Sequence, residues 1–177
     1  NKNFLMKVIF ITGNHTRHVY LVKKFSKFFK DFRWIVEKRE ININHEKLKR
    51  NKIYFKHIND FKKQENYFFK NCKKFLRKKR KNLVFVTRSK TNLINFNKII
   101  FQKIEQYKPQ VIFSYGCRKI DVSLIKKNGL RCFNIHGGLL PKYRGVNTNF
   151  WPHVNNESNL VGITMHDLSD KIDSGNI

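Results

Sequence analysis

Short apolar runs recur along this chain, separated by segments in which apolar residues fall every three or four positions. The runs are residues 6–12 (MKVIFIT), Leu83–Thr87 (LVFVT), Val111–Tyr115 (VIFSY), 132–136 (CFNIH) and 161–167 (VGITMHD), with Trp34, Ile35 and Val36 as a shorter one. Most lack the polar alternation of a half-solvated strand, which is the mark of strands buried on both faces. Between them, residues 16–30 place Val19, Val22, Phe25 and Phe29 on one helical face, with Thr16 as the expected cap. Leu93–Tyr107 does the same with Phe96, Ile99, Ile100 and Ile104, and Lys108-Pro109 ends it. Val122–Lys127 is a short helix, and residues 42–81 read as a charged helical insert striped by Phe55, Ile58, Phe61, Phe68, Phe69, Cys72, Phe75 and Leu76. Strands alternating with helices predict an α/β domain: a Rossmann-like parallel or mixed sheet with helices on both faces. Ligands bind such sheets beyond the carboxyl ends of the strands. That directs attention to residues 13–17, 116–119, 136–145 and 169–176.

Composition narrows the class. With 177 residues, 40% hydrophobic and 14% aromatic, the chain can bury a core and is not a disordered segment. No run approaches the roughly 18 apolar residues of a membrane span, so a soluble, cytoplasmic protein is expected. Cys72, Cys117 and Cys132 are scattered without metal-ligand spacing, and no metal is expected. Residues 1–108 hold 30 Lys and Arg against 7 Asp and Glu, whereas residues 109–177 hold 8 against 5. Such an excess draws polyanions by counterion release. AT-rich codon usage gives the same picture, as the 28 Lys and 21 Asn indicate, so charge alone assigns no function. The cations at 77–81 suit a helix end. His15 and His18 have no third ligand nearby and are expected at the surface.

Asn134 and His136 stand at the carboxyl end of a strand and, two residues apart, point to one side. An amide donor beside an imidazole can hold a developing oxyanion and move a proton. Gly137-Gly138, Leu139-Leu140-Pro141 and Lys142-Tyr143-Arg144-Gly145 then make a loop too constrained and too polar for a plain connector.

The segments FNIHGGLLPKYRG and VGITMHDLSDKIDSGNI resemble the formyltransferase family that uses 10-formyltetrahydrofolate, which includes methionyl-tRNA, glycinamide ribonucleotide and sugar N-formyltransferases. Four pieces carry the resemblance, in order: Asn134/His136, the loop 139–145, Gly162-Ile163-Thr164 and the turn at 173–177. It implies a formyltransferase fold and a metal-free N-formyltransferase. In it, Asn134 donates to the formyl oxygen, His136 stabilises the oxyanion or assists proton transfer, and Asp173 orients His136. For the folate it implies residues 116–120 and 168–171, with Gly116, Cys117, Arg118, Ile120, Leu168 and Asp170 as contacts. The chain departs from the family at Cys117–Ile120, where an apolar run is common, and at Gly137-Gly138, where Pro-Ser is commoner.

The acceptor is read from other departures. The loop Gly13-Asn14-His15-Thr16-Arg17 and the sequence Val146-Asn147-Thr148 differ from methionyl-tRNA enzymes and look more like formyltransferases of surface-sugar biosynthesis. The expected partner is a nucleotide-linked amino sugar, its diphosphate met by Arg17, His18 or Arg144 and its pocket walled by Trp151. A tRNA acceptor is the alternative, and a basic RNA-binding domain sharing the fold is the non-enzymatic one. The chain opens without Met and closes on Asp-Ser-Gly-Asn-Ile, which reads as a strand beginning. A catalytic domain over 1–177, truncated at its C-terminal end, is therefore expected.

Overall fold

In the computed structural model the described residues are 6–39, 52–70, 72–127 and 129–177. Six strands form one sheet: β1 (Val8–Gly13), β2 (Phe32–Lys38), β3 (Leu83–Thr87), β4 (Val111–Tyr115), β5 (Arg131–His136) and β6 (Thr164–Asp167). Their spatial order is β3-β2-β1-β4-β5-β6. All neighbouring pairs are parallel except β5 and β6, which run antiparallel with Asn134 opposite His166.

The apolar runs explain the burial. In β1, Val8 and Phe10 enter one core cluster while Ile9 and Ile11 enter the other, and all four are fully buried. One face is covered by α4 (Leu93–Tyr107) and α5 (Val122–Lys127), through Phe96, Ile100, Ile104 and Ile125. The other is covered by α1 (Thr16–Phe25) and α3 (Cys72–Lys78), through Val19, Val22 and Cys72. Two further helices are α2 (Lys52–Phe68) and the single turn α6 (Trp151–Val154). Asn92 caps α4 by accepting from the Asn95 N–H at 2.8 Å, and Lys108, at φ 49°, ends it before Pro109.

Several boundaries differ from the sequence reading. Helix α1 stops at Phe25, because the chain turns at Ser26 and brings Phe29 back against Phe113, ring centroids 5.8 Å apart. Its N-cap is His15, with no side-chain cap bond. Strand β2 runs past Val36 to Lys38, held by pairing to β1 and β3. The 42–81 insert divides into α2 and α3, and residues 42–51 lie outside the described residues. Its stripe is also divided: Cys72, Phe69, Phe75 and Leu76 pack on the core, whereas Phe61 and Phe68 are exposed. The Phe55 and Ile58 side chains are not among those described. Strand β6 begins at Thr164, since Val161 and Ile163 at the sheet edge are exposed. The 173–177 turn is not a strand; Asn176 folds back to accept from the Asp167 N–H at 2.8 Å.

Candidate active site

The sheet order reverses between β1 and β4, and the crevice opens beyond their carboxyl ends. Gly13 ends β1, and Gly116, at φ 59°, follows β4. A Cβ on Gly116 would lie 2.5 Å from His18 Cε1, and one on Gly13 would lie 2.8 Å from His18 Nδ1. The two glycines thus make room for the His18 ring, which also meets Tyr115 edge-on at 4.4 Å. His18 is 2% exposed, a correction to its expected place at the surface. Burial, then the charge of Arg17, pushes its pKa down to about 3.

Strand β5 brings Asn134 and His136 to the next position along the crevice. The loop after β5 is pinned from several sides: Thr164 Oγ1 donates to the Gly138 carbonyl at 2.8 Å and accepts from the Leu140 N–H at 3.1 Å. Tyr143 is buried and donates to Glu157, which also pairs with Lys142. The turn carrying Asp173 is fixed by Gly175, where a Cβ would fall 1.8 Å from the Asp167 carbonyl oxygen.

Asp173, at φ 48°, then faces both β5 side chains. Its Oδ2 lies 3.3 Å from His136 Nδ1 and accepts from the Gly145 N–H at 2.9 Å. Its Oδ1 accepts from Asn134 Nδ2 at 3.4 Å. His136 donates from Nε2 to the Tyr143 carbonyl at 2.7 Å, so with Nδ1 against Asp173 both ring nitrogens face an acceptor oxygen. A fourth residue joins them: His166 on β6, 2% exposed, accepts at Nε2 from Asn134 Nδ2 at 3.2 Å. Ser114 Oγ donates to Asn134 Oδ1 at 2.9 Å.

Two concavities meet at this cluster. The first, of about 210 Å³, is lined by Cys117, Arg118, Lys119, Ile120 and the 168–173 loop, with Ser114, Asn134 and His166 at its inner end. The second, a cleft of about 610 Å³, is lined by Arg17, His18, Arg39, Phe61, Gly116, His136 and the loop 145–150. Cys117, Asn134 and Asp173 belong to both.

The expected folate contacts Cys117, Arg118, Ile120, Leu168 and Asp170 all line the first cavity, and Gly116 lines the cleft instead. Arg118 is also committed to a buried ion pair with Glu37, whose carboxylate additionally accepts from the Arg118 backbone N–H at 3.0 Å. Of the expected acceptor contacts, Arg17 lines the cleft and is paired with Glu65 at 2.6 Å. Arg144 and Trp151 are exposed and stand outside the lining of both concavities. The thiol of Cys117 is pushed up to about 12, mainly by burial and then by the Glu37 carboxylate.

A family model described as formyl transferase matches residues 6–177. This chain belongs to the formyl transferase family. Among curated proteins, the bifunctional polymyxin resistance protein ArnA of Wigglesworthia glossinidia brevipalpis is 38% identical over 122 residues, which cover 68% of this chain and 17% of that protein. The chain therefore spans a small part of that relative's length. Among solved structures, glycinamide ribonucleotide transformylase 1 from Symbiobacterium toebii superposes with a TM-score of 0.61 at 12% identity, over 96% of this chain and 69% of that one. HypX from Aquifex aeolicus, in complex with tetrahydrofolic acid, superposes with a TM-score of 0.52 at 16% identity, over 96% of this chain and 20% of that one. At such identities these matches establish the fold, which is that of formyltransferases.

Within this family member, three lining residues went unread in the sequence. His166 was legible as the inward partner of Thr164 in a period-two strand. Arg39 follows β2 and escapes a reading that ends that strand at Val36. Ser114 looks like an ordinary strand residue until its register with Asn134 is known.

Proposed function

We propose that this chain moves a formyl group from 10-formyltetrahydrofolate to the primary amine of a nucleotide-linked amino sugar. The observation that carries the reading is the shared wall: one cavity and one cleft meet at Asn134 and Asp173, as a two-substrate transfer requires. The first cavity suits a folate. Cys117, Ile120 and Leu168 give it an apolar side continuous with the core, while Asn134, His166 and Asp173 give it a polar end.

10-Formyltetrahydrofolate supplies the formyl group as an acyl electrophile. Asn134 offers its amide N–H on the shared wall to an oxygen that gains negative charge there. Such a donor acts most strongly where it is held in place beforehand and shielded from water. His136 stands beside it with Nε2 on the Tyr143 carbonyl and Nδ1 against the Asp173 carboxylate, so both ring nitrogens suit N–H donors that favour negative charge on that oxygen, and the proton the amine loses balances the one tetrahydrofolate gains as it leaves. Asp173, itself held by the Gly145 N–H, fixes the ring through Nδ1.

The acceptor reading rests on the cleft. Arg17 and Arg39 line it, and two guanidinium groups suit a diphosphate. The tRNA alternative gains no support from the relatives named above. A thermal-melt titration with 5-formyltetrahydrofolate tests the donor half, since a ligand stabilises the state it binds. A saturable rise in Tm is expected, and a cooperative melt indifferent to the folate would overturn the reading. A panel of nucleotide-linked amino sugars, with glycinamide ribonucleotide as comparator, then tests the acceptor half. Formylation of the ribonucleotide alone would refute the sugar assignment.

A further inference from the structure

The Asn134 amide must present its nitrogen, and not its oxygen, to do what the proposed function asks. An amide can rotate by half a turn at little steric cost, so something must hold it. Three neighbours face it. Ser114 Oγ donates to Oδ1 at 2.9 Å, but a hydroxyl can also accept, and with the Phe133 carbonyl at 3.4 Å as another place for its proton it does not fix the amide. Asp173 Oδ1 accepts from Nδ2 at 3.4 Å, a long bond. His166 Nε2 makes the shorter contact to Nδ2, at 3.2 Å.

The state of His166 is set by its own backbone. Its Nδ1 lies 2.9 Å from the carbonyl oxygen of Asp167, and a carbonyl can only accept. Nδ1 therefore carries the proton, and in the neutral ring Nε2 is left with a lone pair. That lone pair meets Asn134 Nδ2 directly across the β5–β6 ladder, where the two residues are register partners. The ring is almost wholly buried, with its nitrogens engaged in this pair of contacts and in a 3.6 Å approach to Asp173 Oδ1. Rotating the amide would set its oxygen against both the lone pair and the carboxylate.

We propose that His166 is a positioning residue. It occupies one hydrogen of the Asn134 amide and thereby aims the other at the junction of the two concavities. Asp173 holds that second hydrogen weakly, and it is the one available to a reacting oxygen. The inference rests on the proposed role of Asn134.

The test combines two substitutions with a spectroscopic reading, in the full-length protein. His166→Phe keeps a ring and removes the acceptor. His166→Gln returns an acceptor oxygen at similar reach. Loss of a residue that orients a reacting group typically costs about 10- to 100-fold. His166→Phe is therefore expected to lower kcat about 10- to 100-fold, with 5-formyltetrahydrofolate affinity within about twofold of wild type, and His166→Gln to recover most of kcat. Asn134 side-chain amide signals, assigned by their loss in Asn134→Asp, should show one proton shifted downfield in wild type and in His166→Gln. In His166→Phe that shift should disappear. Wild-type kcat in His166→Phe, or equal losses in both variants with an unchanged Asn134 signal, would overturn the proposal. Should His166→Phe not fold, an Asn134 signal without a bonded proton in the wild type would overturn it equally. Full activity in Asn134→Ala would instead bring down the underlying assignment of Asn134. An inactive Asn134→Ala beside a silent His166→Phe would remove only the role of His166.

Discussion

The two concavities that meet at Asn134 are built in opposite ways. The first is drawn from a few contiguous segments, 117–120 and 168–173, set over strand ends already locked in the sheet. Ile120 and Leu168 belong to its wall and to the hydrophobic core at once. The cleft is gathered from places far apart in the chain: Arg17 on α1, Arg39 after β2, Phe61 on α2 and the loop 145–150. Several of its apolar residues, Phe61, Val146 and Phe150 among them, are exposed. A wall continuous with the core cannot change without loss of stability. A wall of surface side chains can be exchanged piece by piece on the same scaffold. On the proposed function, the folate would take the first design and the acceptor amine the second.

The largest expected effect falls where the concavities meet, on Asp173, which both share, and on His136 beside it. His136→Ala or Asp173→Ala should lower kcat/KM by about a thousandfold or more, in line with losses on removing one member of such a set. The double variant should be scarcely worse than either single one, because the two act as a unit. Steady-state rates beside melting curves check this. Activity within about tenfold of wild type in both single variants would separate the chemistry from the junction and break the comparison at its centre.

The same contrast explains what could be read in advance. The sheet was legible because β1 and β4 are continuous apolar runs that the fold buries, whereas β3, expected to be buried as they are, lies at the sheet edge with Phe85 exposed. The pairing of Asn134 with His136 was legible from their spacing along one strand, whereas Asp173, which the fold brings to them, was expected only through the resemblance to the formyltransferase family. Arg118 shows the limit. Its place beside the first cavity could be read, but its partner Glu37 lies 81 positions away and enters through the parallel pairing of β2 with β1. His18 shows it again: two glycines on neighbouring strands create its pocket, and nothing local announces them. The division of the 42–81 insert was hidden because its apolar positions continue from Phe68 and Phe69 into Cys72 and Phe75 with no Pro or Gly to mark the break.

Stability should be more sensitive at the first cavity than at the cleft. Arg118→Ala leaves the Glu37 carboxylate, 0% exposed, without its cation, and removing one member of a buried pair costs about 3–5 kcal/mol. Urea unfolding of Arg118→Ala, Glu37→Gln and the double variant would measure it. Strong coupling between the two is expected, and additive losses would show that Arg118 acts independently of Glu37. A smaller effect attaches to His18. In the folded chain its pKa is about 3 against the ordinary 6.5, so between those values the unfolded chain binds a proton that the native chain excludes. Stability is whole above the higher value and falls as pH drops through the window, by about 1.4 kcal/mol per pH unit from this group. In His18→Gln that component of the urea-midpoint slope should vanish; an unchanged slope would assign the acid sensitivity to other groups.

The smallest effects are the most informative about the cleft. Arg39 donates to the Gly116 carbonyl at 2.8 Å and so holds its guanidinium over the point where β1 and β4 part. Arg39→Gln removes a charged donor from the cleft, which should raise the KM for a diphosphate-bearing acceptor about tenfold and leave folate affinity unchanged. Arg144 follows the conspicuous Leu-Leu-Pro loop, but its side chain is exposed and outside the cleft. Arg144→Gln and Trp151→Phe should therefore alter the same KM by no more than about twofold, the range of surface changes. Competition by pyrophosphate gives a second measure, weakening in Arg39→Gln and not in Arg144→Gln. If the order were reversed, the acceptor would lie across the outer surface of the 139–151 loop. The chemistry at Asn134 would then be reached from outside the crevice, a geometry in which the Tyr143–Glu157 contact, and not the sheet, would govern specificity.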